Sequence, residues 1–212
     1  MNLQQRPTQA TADRGKGKML AAKIIRVATV APLMAATLTT ILCFSSLHAY
    51  VNMLHSVMSL VFLTVFPLLS YPLSALIFGR DPELRRSKER KLAIIFSVAG
   101  YLGGVLFCLL THCTMVERVI YFTYLLSGVL TAVFSFVFHV KSSGHACGVA
   151  GPIAVLIYYV SPLYLFSLVL LVSVFWSSLK LRRHSLVQLF LGSLVPVLSL
   201  FLSALLCARL PL

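Results

Sequence analysis

Acidic side chains are what this sequence has least of. Only 5 of its 212 residues are Asp or Glu, against 18 Lys and Arg, and no carboxylate occurs from Arg118 to the C-terminus. The polar chemistry of that second half is limited to imidazole, hydroxyls and cations. This set suits the binding of a phosphate group.

Charge of either sign is also scarce, at 11% of residues where a soluble domain has roughly a quarter. The chain is 59% hydrophobic with a mean hydropathy of +0.94, and long apolar runs recur from about Ala28 onwards. This composition predicts a polytopic, all-α membrane protein. The five cysteines form no Cys-x-x-Cys pair and lie in or beside apolar segments, so neither a zinc site nor a disulfide framework is expected.

The apolar runs divide the chain into a basic tail over residues 1–22, predicted to be disordered and cytosolic, and a membrane domain over 23–212. A transit peptide is the weaker interpretation of the tail. The membrane domain is predicted to be a helical bundle of about seven (six to seven) transmembrane helices. The candidate spans are 27–48, 55–78, 92–112, 118–140, 144–160, 163–180 and 185–207.

Lysine and arginine are distributed unequally across this topology. The tail, the loop at 79–91 and the junctions near Lys141 and Arg182 fall on one face, which holds 16 of the 18 Lys and Arg. Only Arg118 and Arg209 fall on the other. The positive-inside rule predicts that the basic face is cytoplasmic, in a multi-pass cell-membrane protein that contacts anionic lipids. Nucleic acid is not an expected partner, because the cations lie in short membrane-edge loops.

A short polar island, Lys141-Ser142-Ser143-Gly144-His145, interrupts the apolar C-terminal half. A serine N-cap, unpaired first-turn amides and the helix dipole would form an anion site there. The lysine adds charge, and the histidine can exchange a proton near neutral pH. The same residues also fit a plain capped helix with an interfacial lysine and histidine.

A second polar island begins at Ser177 and continues through His184 to Gln188. Arg182 and Arg183 beside His184 favour the neutral imidazole that a nucleophile needs. Gln188 shares a helix face with His184, so its amide oxygen is expected to accept from one ring N–H and leave the other nitrogen free. A snorkelling stop-transfer cluster is the alternative.

A third polar segment, the basic loop at 79–91, includes Arg86, Arg90 and Lys91. Its cations can neutralise phosphate, or they can pair with the three acids of the same loop in a solvated segment. All three segments lie on the same predicted face of the membrane.

The two islands resemble motifs of the type 2 phosphatidic acid phosphatase (PAP2) superfamily, in the chain order of that family. Residues 141–145 are similar to its Pro-Ser-Gly-His motif. Ser177-Ser178, five residues, His184, three residues and Gln188 resemble its Ser-Arg-x5-His-x3-Asp motif with matching spacing. The resemblance covers roughly residues 80–207 and implies a PAP2-like helical core, with the motifs in 80–192.

The resemblance also implies roles. His184 would be the nucleophile that forms a phosphohistidine, Gln188 would orient it, and His145 would protonate the leaving alcohol. The implied phosphate ligands are Lys141, Ser143, Gly144, Arg182, Arg86, Arg90 and Lys91. No metal or other cofactor is implied, which agrees with the missing carboxylates, since magnesium prefers acidic oxygen ligands.

Some positions depart from the family pattern. Ser178 stands where the family has a phosphate-binding arginine, and Gln188 stands where it has an aspartate. Ser142 replaces the proline, and Arg182 or Lys180 is the candidate to replace the missing arginine. A neutral Gln188 stabilises a developing imidazolium less than a carboxylate does.

The sequence therefore predicts a membrane phosphatase or phosphotransferase acting on a lipid phosphate. Its substrate would be an isoprenoid phosphate or pyrophosphate, or a phosphatidate-type lipid. The alternative is a catalytically degenerate PAP2-like protein that binds or moves an anionic lipid. A transporter is a third and weaker class, because the strongest polar groups cluster at one edge rather than deep within the spans.

Overall fold

The computed structural model describes the backbone of residues 9–45, 47–77, 82–140 and 142–209, and the side chains of 16–45, 47–77, 88–140 and 142–209. Within these ranges every regular element is helical, as the composition predicts. The helices are α1 (Gln9–Ala28), α2 (Ala31–Phe44), α3 (Met53–Leu60), α4 (Phe66–Ile77), α5 (Pro82–Leu110), α6 (Met115–Phe136), α7 (Gly144–Tyr159), α8 (Leu168–Lys180) and α9 (Leu186–Arg209). A π-helical turn at Val61–Val65 joins α3 to α4, and a 3₁₀ turn at Pro162–Ser167 leads into α8.

Five segments of the described chain are long and apolar enough to cross a membrane. They are Met53–Ile77, Lys88–Leu110, Met115–Phe136, Pro162–Lys180 and Leu186–Arg209. A sixth is counted if α1 and α2, which meet at a bend of 54°, form one broken span. The prediction of an all-helical chain with several helices that can span a membrane is confirmed.

Two of the seven predicted spans differ from the structure. The fifth corresponds to α7, whose 16 residues reach about 24 Å, short of a hydrocarbon core of about 30 Å. The first is interrupted between Ala28 and Ala31, because Pro32 has no N–H to donate to the carbonyl of Ala28 and a continuous helix cannot form there.

The tail predicted to be disordered over residues 1–22 is helical from Gln9 onwards, and residues 1–8 lie outside the described part. Helix α1 packs against α8, and Ala22 is fully buried. Tertiary contact gives this segment a buried face that its polar, basic composition does not reveal.

The absence of a disulfide was also predicted, and the structure corrects it. Cys108 near the end of α5 and Cys113 just before α6 are disulfide-bonded, with Cα atoms 5.1 Å apart. The tight reversal between the two helices brings these cysteines together, and their spacing alone does not indicate such a turn. Cys43, Cys147 and Cys207 are free thiols in buried or half-buried positions, as expected of small apolar residues.

Helix α9 packs extensively against both α6 and α7, and two glycines allow close approach of the backbone beside α7. A Cβ added to Gly192 of α9 would collide with the carbonyl oxygen of Ser143. A Cβ added to Gly148 of α7 would collide with Ala31 at the start of α2. These two contacts fix the N-terminal end of α7 against α9 and against the bend between α1 and α2.

Candidate active site

A cavity of about 900 Å³ lies between the start of α5, the end of α6 and the start of α7, and its wall extends into the bundle as far as Tyr101 of α5 and Thr123 of α6. Both histidines of the polar islands, His145 and His184, line this cavity. The charged residues described in its wall are Arg26, Glu89, Arg90, Lys91 and Arg183. Residues from all three polar segments that the sequence assigned to one face therefore meet around a single cavity.

His184 lies in the turn between α8 and α9, half-buried at the cavity wall. Its Nδ1 is 3.0 Å from Oε1 of Gln188, and the backbone N–H of Ser185 donates to the same oxygen at 3.4 Å. An oxygen that already accepts from an amide is correctly assigned as oxygen, so Nδ1 of His184 is the donor. The Nε2 atom of the neutral ring therefore has the free lone pair. The contact predicted between Gln188 and His184 is present.

The environment of His184 favours its neutral form. Burial lowers the pKa of His184 below its ordinary value, and the positive charges of Arg26, Arg90 and Arg183 lower it further, against the opposing hydrogen bond to Gln188. A neutral imidazole at physiological pH is the form that attacks phosphorus.

His145, in the first turn of α7, is held by a contact with a distant part of the chain. Its Nε2 donates to the backbone carbonyl of Arg26 at 2.7 Å, since a carbonyl can only accept. Burial, followed by the charge of Arg26, lowers the pKa of His145 to about 4. At neutral pH the Nδ1 atom of His145 therefore has a lone pair.

Arg90 is fixed at the cavity by two hydrogen bonds from its Nη2. One goes to the carbonyl of Ser142 at 3.1 Å, and the other goes to the hydroxyl of Ser135 at 3.3 Å. These bonds connect the start of α5 to the end of α6 and to the segment before α7. Arg90 and Lys91, two of the predicted phosphate ligands, both line the cavity.

The turn after α8 presents Arg183 to the cavity rather than the predicted Arg182. Arg182 has a φ of 50°, is exposed and does not line the cavity. The N–H of Arg183 donates to the carbonyl of Ser178 at 2.9 Å. The left-handed residue reverses the chain there, and a run of adjacent arginines in a sequence does not reveal which one a turn directs inward.

The Ser-Gly-His island forms the start of α7 with a serine N-cap, but Ser143, the serine predicted to bind phosphate, does not line the cavity. Ser143 is the N-cap of α7, accepting from the N–H of Ala146 at 3.3 Å, and it is fully buried outside the cavity wall. Ser142 lines the cavity instead, and its buried hydroxyl has no partner among the described residues. Gly144 lines the cavity, with open space around its Cα. Lys141 and the side chain of Arg86 lie outside the described residues.

Arg26 is the site residue that sequence reasoning missed. It lies in the last turn of α1 and is separated from His145 by 119 positions, in a segment with no resemblance to a known motif. Only its basic character and its place just ahead of an apolar run indicated a membrane-edge cation.

No family model, no curated protein and no solved structure matches the chain.

Proposed function

We propose that this chain is a membrane-embedded lipid phosphatase or phosphotransferase with a PAP2-like core. It hydrolyses a lipid phosphate monoester or pyrophosphate, of isoprenoid or phosphatidate type, through a phosphohistidine. One observation supports this most strongly: His184 has its Nδ1–H fixed by Gln188, and its Nε2 is free beside a cavity that it shares with His145 and three arginines.

The charge balance of the cavity supports an anionic ligand. Arg26, Arg90 and Arg183 line the wall together with Lys91, whereas Glu89 is the one carboxylate described there. Glu89 makes no ion pair with these arginines in the described part of the chain. Arg26 and Arg90 are half-buried without a carboxylate partner in the described part of the chain, and a phosphate dianion would supply both counter-charge and acceptor oxygens.

The first chemical step is in-line attack by Nε2 of His184 on phosphorus. An N–P bond forms while the bond from phosphorus to the lipid oxygen breaks, and the guanidinium groups stabilise the charge on the equatorial oxygens. The substrate's negative charge opposes the effect of Arg26 on His145 and so favours protonation of Nδ1 in the complex. His145 then gives this proton to the leaving oxygen, releasing the lipid alcohol.

The second step returns His184 to its starting state. Water attacks the phosphohistidine, breaking the N–P bond and forming inorganic phosphate. Nδ1 of His145, now unprotonated, accepts the proton that the water loses. If a lipid alcohol attacks in place of water, the same steps transfer the phosphoryl group.

The test is phosphate release from an isoprenoid phosphate and from a phosphatidate by purified protein in detergent. We expect His184→Ala to lower turnover by at least about 10³-fold, since it removes the nucleophile, and His145→Ala by about 10²- to 10⁴-fold, since it removes the general acid. His139→Ala, at an exposed histidine outside the cavity wall, is the matched control and should match wild type. Turnover like that of wild type in either site variant would falsify the mechanism.

A non-catalytic lipid-binding or lipid-moving protein is the second candidate. Ser178, at the position where the family motif has arginine, is fully buried with an unpartnered hydroxyl and brings no charge to the cavity. Lipid binding without turnover, persisting after Ser178→Arg and Gln188→Asp, would favour this candidate over the phosphatase.

A further inference from the structure

We propose that the guanidinium of Arg26 is a phosphate ligand of this site, supplied by α1 in place of the arginine that the family motif has at position 178. The inference rests on the proposed function and extends the site to a helix outside the motif-like segment. The ligand class is a phosphate with unesterified oxygens, either the lipid headgroup or inorganic phosphate.

The backbone of Arg26 lies at the reacting end of the cavity. Its carbonyl belongs to the last turn of α1, where carbonyls have no intrahelical donor, and it accepts from Nε2 of His145 at 2.7 Å. The bend before Ala31 ends α1 at this point, and the contact of Ala31 with Gly148 holds the bend against α7. Arg26 is therefore fixed beside the proposed general acid.

The side chain of Arg26 is half-buried and lacks a hydrogen-bond partner at one of its nitrogens. Its Nη1 is buried and has no hydrogen-bond partner among the described residues. The nearby groups with which it interacts electrostatically are His145, His184, Arg183 and Tyr71, none of which is an anion at neutral pH. Burying a charged donor without an acceptor is unfavourable, and an anion in the cavity would supply the acceptor oxygen that Nη1 lacks.

The position of α1 accounts for the departure at Ser178. Helix α1 packs against α8, the helix that contains Ser178. Ser178 itself is fully buried. An arginine presented from the end of α1 supplies the planar fork that binds two phosphate oxygens at once.

The experiment compares Arg26→Gln and Arg26→Lys with Lys23→Ala, a control at an exposed cation one turn earlier on α1. Two quantities are measured in detergent: the affinity for inorganic phosphate by calorimetry, and kcat and KM for a lipid phosphate. Because every variant keeps the backbone carbonyl bonded to His145, the changes report on the guanidinium alone.

We expect Arg26→Gln to weaken phosphate binding and to lower kcat/KM, by about 10²-fold, as loss of one preorganised donor does. Arg26→Lys keeps the charge but cannot bind two phosphate oxygens at once, so its phosphate affinity and kcat/KM should each fall by about tenfold. Guanidinium ion added at millimolar concentration should restore part of the activity of an Arg26→Ala variant, a rescue that a structural role would not show. Lys23→Ala should behave as wild type.

The outcomes separate this inference from the proposed function. If wild type binds inorganic phosphate but turns over no lipid phosphate, while Arg26→Gln weakens the binding, the phosphatase fails and the ligand role of Arg26 stands. If wild type is active and Arg26→Gln retains its phosphate affinity and kcat/KM, the ligand role is overturned and the phosphatase stands. The ligand role is also overturned if wild type does not bind inorganic phosphate. It is overturned as well if Arg26→Ala loses activity and guanidinium ion restores none of it.

Discussion

The two ends of the helical bundle differ in whether their histidines and charged side chains have a carboxylate partner. At the cavity end, three arginines and two histidines share one wall, and the single carboxylate described there pairs with none of the arginines. At the opposite end, Nδ1 of His55 lies 2.9 Å and 3.1 Å from the two carboxylate oxygens of Glu117, and both residues are buried. The far-end histidine has an internal counter-charge, whereas the cavity histidines face cations.

The far-end pair is built into the helix packing around it. Glu117 lies in the first turn of α6, where its N–H donates to the N-cap hydroxyl of Thr114 at 3.1 Å. The hydroxyl of Thr114 in turn donates to the carbonyl of Ala49. Removing one partner of a buried, hydrogen-bonded pair destabilises a fold, whereas unpaired cations beside a cavity are typical of a functional site.

The largest effect on folding that would sharpen this comparison is expected from Glu117→Ala. Removing the carboxylate leaves the buried Nδ1 of His55 without its hydrogen-bond partner and should lower the free energy of unfolding by about 3 kcal/mol. The turnover of the fraction that remains folded should be unchanged, because neither residue of this pair lines the cavity. Thermal unfolding in detergent, followed together with phosphate release, measures both quantities. If Glu117→Ala protein that is fully folded lost turnover, the claim that this pair does not contribute to the cavity chemistry would be contradicted.

A smaller effect is expected at the cavity end from Gln188→Leu. Without the amide oxygen, the Nδ1–H tautomer of His184 is no longer fixed, and turnover should fall by about 10²-fold, or about 2.7 kcal/mol of activation free energy. Stability should change little, since Gln188 is only half-buried. Equal turnover of wild type and Gln188→Leu would show that the hydrogen bond does not orient the nucleophile.

The sequence predicted the boundaries of the spans far better than the identity of the residues that line the cavity. Hydropathy is a local property, so five of the predicted spans agree with the helices to within four residues at each end. The contact between His184 and Gln188 was also predictable, because both residues lie within one helical turn. The position of Arg26 at the cavity depends on the bend between α1 and α2. The presence of Arg183 rather than Arg182 in the cavity wall depends on the left-handed conformation of Arg182. Local composition does not specify where such turns direct a side chain.

Removing the far-end disulfide, by Cys108→Ser with Cys113→Ser, should destabilise the protein by about 2 kcal/mol or less, the loop-closure value for so short a loop. Phosphate release should stay unchanged.

Disulfides persist in oxidising compartments, so the end with this disulfide is expected to face away from the cytoplasm and the basic end toward it. In sealed vesicles of known orientation, an impermeant reductant should reach the disulfide only from the non-cytoplasmic side. Reduction from the cytoplasmic side would reverse the proposed orientation.

The smallest effect concerns pH. Because burial and three arginines lower the pKa of His184 below its ordinary 6.5, the ring should remain neutral, and reactive, as the pH falls through 6.5. The acid limb of kcat/KM, and of the reaction rate of His184 with diethyl pyrocarbonate, should therefore lie below that value. Gln188→Glu adds a negative charge that favours the imidazolium of His184. It should therefore move the acid limbs of kcat/KM and of the diethyl pyrocarbonate reaction to higher pH. An acid limb above 6.5 in wild type would contradict the cationic environment described for His184.

The most direct measurement is detection of the phosphorylated residue itself. The protein is mixed with a lipid phosphate labelled with ³²P, quenched in alkali, where phosphohistidine is stable, and digested for peptide mapping. We expect label on His184 in wild type and in the Lys23→Ala control, and none in His184→Ala. Rapid turnover with no label on His184, or label on another residue, would contradict the proposal that the unmatched charge at this end of the bundle serves phosphoryl transfer to His184.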